Sequence, residues 1–189
     1  ECVLVHTNFY SKHWQKAGKK HQIIPKPKFW PEFDKLVLNN YIGTTTVLLK
    51  MQALQDLTEQ HFDYLLRWSM LDYYIWLGLT KYGKIGYLSD VTSVYNAHPD
   101  SVSAFGDADR HITFLNSGLD LQLTIIDRFY TGSKKDRFKL LVHQVYARKR
   151  FRFAYDRKDI ETMMKYYHMM KLLTKLNPLN IAKVIIAHF

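Results

Sequence analysis

One acid and one histidine are the residues of this chain best placed to do chemistry. Asp72 lies inside Trp68-Ser69-Met70-Leu71-Asp72-Tyr73-Tyr74-Ile75-Trp76-Leu77-Gly78-Leu79, a run that is otherwise almost wholly apolar or aromatic. A carboxylate among such neighbours is costly to bury, so it must be paired, protonated or at work as an acid or base. His98 follows one strand pattern later, in the turn-rich stretch Val94-Tyr95-Asn96-Ala97-His98-Pro99-Asp100-Ser101-Val102-Ser103.

The elements around these two residues can be read from local patterns. Ile75, Trp76 and Leu79 share one helical face, so a helix starts at or near Asp72, where the positive end of its dipole favours a carboxylate. Ahead of it, residues 33–42 read as a short helix, Gly43-Thr44-Thr45-Thr46 as a turn and Val47–Leu49 as a strand. Met51 to Leu57 has helical spacing, and Asp63 to Arg67 reads as a loop. After it, Lys84–Leu88 and Val91–Tyr95 read as two short strands joined by a tight turn at Ser89-Asp90. Cys2–Val5 is a buried-strand pattern with no leading loop, as though the chain joined a fold already under way. Residues 11–35 carry Gly18, Pro25, Pro27 and Pro31 and read as an irregular excursion. There Lys12, Lys16, Lys19, Lys20, Lys26 and Lys28 are interleaved with Trp14, Phe29 and Trp30, a pattern suited to nucleic acid or to a loop over an anionic substrate. Beyond Ala104 helical patterns run over 107–131, 134–154 and 156–176, with a last one after Pro178. Strands early and helices late predict an α/β portion, a mixed sheet with flanking helices, followed by an α-helical tail.

Composition sets the bounds. The 189 residues suit one domain with a helical appendage, and 47% hydrophobic content supports a real core. The 13 tyrosines and 4 tryptophans supply rings that pack in the core or stack on flat partners such as sugars or bases. Lys and Arg number 27 against 17 Asp and Glu, and the resulting +10 biases the chain toward nucleotide phosphates, nucleic acid or acidic lipid. One cysteine, Cys2, cannot make an internal disulfide, and a reducing compartment is expected. No run approaches the about 18 apolar residues of a membrane span. A cytoplasmic protein, with a membrane-associated variant of that location, is the expectation.

Three ordered motifs carry a family resemblance: Asn39-Asn40-Tyr41-Ile42-Gly43-Thr44-Thr45-Thr46-Val47, Asp72-Tyr73-Tyr74-Ile75-Trp76-Leu77, and the Tyr95–Ser103 stretch around His98. The block from 37 to 103 resembles the acceptor-side half of a family 2 glycosyltransferase with the GT-A fold. The resemblance implies transfer of a sugar from a nucleotide-diphosphate donor to an acceptor hydroxyl, with inversion. It implies that Asp72 is the base, that His98 contacts a divalent metal (Mn or Mg) or the diphosphate, and that Thr45, Thr46, Trp68, Tyr73, Trp76 and Tyr95 lie on the acceptor side. A saccharide or lipid-linked acceptor is implied, and no nucleic-acid partner. Residues 1–103 would form the acceptor-side part of the transferase domain, and 104–189 a helical extension.

Two positions depart from the family pattern. Leu71 stands where the family has Glu before the base, and Asn96 where it has Arg two positions before the histidine. The donor-binding half with its Asp-x-Asp strand has no counterpart ahead of Glu1. The chain is therefore expected to be a fragment, one component of a two-chain enzyme, or an inactive remnant, and exposed sheet edges would favour a homo-oligomer. Asp107-Ala108-Asp109 is a literal Asp-x-Asp, but it precedes a helical pattern and reads as helix-start carboxylates.

Other chemistries lack support. His6, His13, His21 and His61 show no ligand spacing, and one cysteine cannot build a structural zinc site. No phosphate-binding glycine loop is present, and Ser101 and Ser103 lack the context of a nucleophile. Arg148-Lys149-Arg150-Phe151-Arg152-Phe153, continued by Lys165, Lys171 and Lys175 beside Met163, Met164, Met169 and Met170, suits either an anionic membrane surface or a bundle with methionines inward. The alternative to an enzyme is thus a non-catalytic basic module that binds membrane or nucleic acid through 12–35 and 148–175.

Overall fold

The computed structural model describes residues 1–13, 20–23, 32–65, 67–97 and 108–176. The chain is mixed α/β and divides into two compact units, Glu1–Leu121 and Gln122–Phe189.

The first unit is organised by one long strand. β1 (Cys2–His13) pairs in parallel with β4 (Lys84–Ala97) along its whole length, from Cys2 opposite Lys84 to His13 opposite Ala97. Its other edge is shared by two antiparallel partners. β3 (Val47–Leu49) takes Leu4 to His6, and β2 (Lys20–Ile23) takes Phe9 to Lys12. Parallel neighbours need a long crossover between them. Here the crossover contains α1 (Glu32–Leu38), a 3₁₀ turn (Thr44–Thr46), α2 (Met51–Leu65) and α3 (Leu71–Leu79). Leu36, Val37, Leu57, Leu77 and Leu79 of the helices are buried, as are Leu4 and Ile85 of the sheet.

Several local expectations are corrected. Residues 11–35 are not wholly irregular: Ser11–His13 continue β1, Lys20–Ile23 return along it, and α1 begins at Glu32. The loop expected over 63–67 is partly helix, because α2 runs on to Leu65. The two strands expected over 84–95 are one, and the predicted turn is a bulge. His6 opposes Tyr87 while Asn8 opposes Val91, so two extra residues of β4 are looped out between them. Asn8 Nδ2 donates to the Ser89 carbonyl at 3.0 Å inside that irregularity. A Ser-Asp pair bends the backbone in either setting, and only the partner strand decides which one forms.

α4 (Ala108–Phe129) spans the division between the units, which falls at residue 121. Its first-unit portion docks on the turn at 67–69: Asp120 Oδ2 accepts from Trp68 Nε1 at 2.7 Å and from Arg67 at 3.3 Å, and Ser117 Oγ accepts from the Ser69 amide at 2.9 Å. Asp109 is exposed in the first turn of α4, where the helix dipole favours it. The second unit holds α5 (Gly132–Asp156) packed on α6 (Ile160–Leu176). No helix among the described residues is long and apolar enough to cross a membrane.

Candidate functional site

Asp72 sits where the sequence places it, in the first turn of α3. The N-cap residue, Met70, has no side-chain oxygen to offer the orphan amides of that turn. Asp72 does this itself: its Oδ1 accepts the Tyr73 amide at 2.8 Å. Its other oxygen, Oδ2, accepts from the Thr44 hydroxyl at 2.7 Å. The carboxylate is half-buried and held from two directions.

The 3₁₀ turn is the part that organises the site. Thr44 reaches Asp72 on α3, and its neighbour Thr45 reaches Ser93 on β4, with 3.2 Å between the hydroxyls. Thr46 points the other way: it is buried, and its hydroxyl donates to the Gly43 carbonyl at 2.7 Å, closing the turn. Gly43 itself must be small, because a Cβ there would lie 2.7 Å from Phe9 Cε1. Phe9 in turn meets Tyr95 edge-on, ring centres 6.3 Å apart. Tyr95 is two residues from Ser93 and on the same face of β4. Asp72, Thr44, Thr45 and Ser93 therefore share one locality, with Tyr95 on the adjoining strand face.

The three other aromatic candidates lie elsewhere. Tyr73 is 2% exposed, and its hydroxyl donates to the carbonyls of Leu36 (2.5 Å) and Val37 (3.0 Å) at the end of α1. Trp68 is buried, stacked on Tyr74 with ring centres 5.3 Å apart, and bonded to Asp120. Trp76 is buried, and its Nε1 finds no hydrogen-bond partner among the described residues. These rings pack the core of the first unit. His98 lies outside the described residues, as do Asp107 and the segment after Pro178.

Among the described residues no three His, Cys, Asp or Glu side chains gather as a metal-binding group. The partners shown for Asp72 are the Thr44 hydroxyl and the Tyr73 amide. Thr44 and Ser93 are the site residues that sequence reasoning passed over. A signal for Thr44 existed, since the triple threonine sits inside a motif already singled out. Ser93 had none, because its meeting with Thr45 depends on strand pairing.

No protein-family model, curated protein or solved structure matches the chain.

Proposed function

We propose that this chain supplies the acceptor side and the catalytic base of a GT-A-type glycosyltransferase, acting on a nucleotide-diphosphate sugar. The observation that carries the proposal is the half-buried Asp72 carboxylate, aimed by the Thr44 hydroxyl and by its own helix amide. A carboxylate can accept about four hydrogen bonds, so the two described leave capacity for an incoming hydroxyl. In the reaction, the acceptor oxygen attacks the anomeric carbon as its proton passes to Asp72. The bond from that carbon to the diphosphate oxygen breaks, and its electron pair leaves with the nucleoside diphosphate. One base and one displacement give inversion. The ordered motifs over 37–103 support this reading independently.

The test supplies the chain with the donor-binding half that the proposal requires and follows nucleoside diphosphate release from a panel of UDP- and GDP-sugars with saccharide acceptors. Asp72→Asn keeps the size and the Thr44 contact but removes the base, so kcat should fall by about 10²–10⁴ while donor KM holds. Thr44→Val leaves the base but frees its orientation, with a smaller loss of up to about 10². Turnover of Asp72→Asn within a few-fold of wild type rejects Asp72 as the base. A wild-type chain that, supplied with a donor-binding half, still turns over no sugar nucleotide rejects the proposal as a whole.

A further inference from the structure

The net charge of the chain is carried by one unit. Residues 1–121 hold 12 Lys and Arg against 12 Asp and Glu, whereas residues 122–189 hold 15 against 5. The whole excess of +10 therefore belongs to the helical unit.

Among the described residues, that unit also leaves one helix face without a partner. α6 meets α5 through Leu173, whose carbonyl accepts from Gln144 Nε2 at 3.1 Å, and through Tyr166, edge-on to Tyr146 with ring centres 6.3 Å apart. Arg150 of α5 is buried beside this seam, donating to the Tyr146 hydroxyl at 2.9 Å. It is thus withdrawn from the basic cluster at 148–152. On the opposite side of α6, Ile160, Met164 and Tyr167 recur at helical spacing, and all are exposed, Ile160 at 69% and Met164 at 44%. Tyr155, 65% exposed at the end of α5, lies close in sequence at the hairpin corner. The bundle with methionines inward is therefore corrected at Met164.

Two cations flank this apolar stripe along the chain. Lys171 Nζ lies 5.0 Å from the centre of the Tyr167 ring, and Lys158, two residues before Ile160, is exposed. Of the nearby acids, Asp156 is exposed, and Asp159 caps α6, accepting the Thr162 amide at 3.0 Å, a bond that keeps it ionised. Glu161 is turned about 100° around the helix from Ile160 and about 60° from Met164, on the side that carries Lys165 one turn later.

We propose that the α5–α6 hairpin docks on an anionic lipid bilayer, with α6 lying in the interface plane. Ile160, Met164 and Tyr167 enter the boundary between head groups and acyl chains. Lys158 and Lys171, at the two ends of the stripe, reach to the phosphates. Charge complementarity selects this occupant. A second copy of the unit would bring +10 against +10, and nucleic acid would give Ile160 and Met164 nothing apolar to bury. The proposal does not rest on glycosyl transfer, and its readout is binding alone.

The test is flotation of the full chain with vesicles of phosphatidylcholine, and with vesicles of equal parts phosphatidylcholine and phosphatidylglycerol. Binding should require phosphatidylglycerol and weaken as salt rises from about 0.01 M to about 1 M, where screening shortens from about 30 Å to about 3 Å. Lys158→Glu with Lys171→Glu should weaken it by roughly 20-fold or more, at about fivefold per lost cation. Ile160→Asp with Met164→Asp should weaken it by at least about tenfold, since each apolar side chain withdrawn from the interface costs that much. All four positions are exposed, and unchanged helical circular dichroism will show that the variants fold. Equal binding to neutral vesicles overturns the proposal, as does anionic binding that ignores the Ile160/Met164 pair. A dimer in light scattering that the same pair dissolves assigns the stripe to self-association. Binding of polyuridylate that is indifferent to the pair assigns the charge to nucleic acid. Either result also overturns the proposal.

Discussion

Replacing Gly78 by alanine sets two effects of opposite sign against each other, in the helix that carries Asp72. In a helix interior the change is worth about 1 kcal/mol of stabilisation from propensity alone. A Cβ at this position, however, would lie 2.6 Å from Leu57 Cδ1 and 2.7 Å from Cδ2. Leu57 is 1% exposed on α2, so its methyls have no free volume to turn into. Overpacking of a filled core costs about 1–3 kcal/mol. The contact should win, and Gly78→Ala should destabilise by about 1 kcal/mol net. Leu57→Ala alone should cost about 2–5 kcal/mol. In that background the new methyl enters vacated space, and Gly78→Ala should instead stabilise by about 1 kcal/mol. The sign reversal makes a coupling of about 2 kcal/mol across the double-mutant cycle. The assay is urea unfolding followed by tryptophan fluorescence. All four tryptophans (Trp14, Trp30, Trp68 and Trp76) belong to the first unit, so the signal isolates that unit. If Gly78→Ala stabilises wild type as much as it stabilises Leu57→Ala, the close approach of α2 to α3 is not what keeps position 78 a glycine.

Two further predictions concern stability. Tyr73→Phe strips the donor from the buried Leu36 and Val37 carbonyls, costing about 1–3 kcal/mol. The thermal midpoint of the fluorescence transition should drop by about 4 °C, and a drop under about 1 °C would show those carbonyls to be satisfied otherwise. In the second unit, burial and then the charge of Lys139 push the pKa of His143 below its ordinary value. The unfolded chain then binds the proton more readily than the folded one, so helix stability should decline as pH falls from about 6.5 through the lowered folded value. His143→Gln should flatten that decline in circular dichroism melts, and an unchanged slope would assign the pH dependence to other groups.

Patterns with a local cause were legible in the sequence, and those set by a distant partner were not. The start of α3 at Asp72 follows from apolar spacing and a carboxylate at the dipole's positive end. The helices of the second half follow from long periodic runs broken at Gly132 and after Asp156. Val47–Leu49 is a strand as its β-branched lead-in suggests. The extension of β1 to His13 and the return of β2 were hidden, because Ser11-Lys12-His13 and Lys20-His21 have no apolar alternation to betray a sheet. Their conformation comes from pairing with each other and, for β1, with β4. Ser89-Asp90 failed for the complementary reason: its local chemistry is right for a turn, but the partner strand holds the flanks in one ladder. The burial of Trp68, Tyr73 and Trp76 was likewise not legible along the chain, since it depends on distant partners: the carbonyl that captures the Tyr73 hydroxyl is 36 residues away.

The Asp72 carboxylate joins the structural and chemical arguments. Because Met70 supplies no cap, the helix needs an oxygen at its first turn, and Asp72 provides it with Oδ1. That duty would by itself make the residue a structural acid. The Thr44 contact differs in kind, since it costs the 3₁₀ turn a hydroxyl that could face water, and it fixes the second oxygen relative to a turn whose next residue grips β4. One turn thereby sets the distance between the N-terminus of α3 and the face of β4 that bears Ser93 and Tyr95. A base must be held so, to within about 0.5 Å of its working position, by groups that leave it lone pairs to use. The cap and the threonine satisfy both conditions, which is why orientation by Thr44, rather than burial among aromatic rings, explains how an acid can stand in so apolar a stretch.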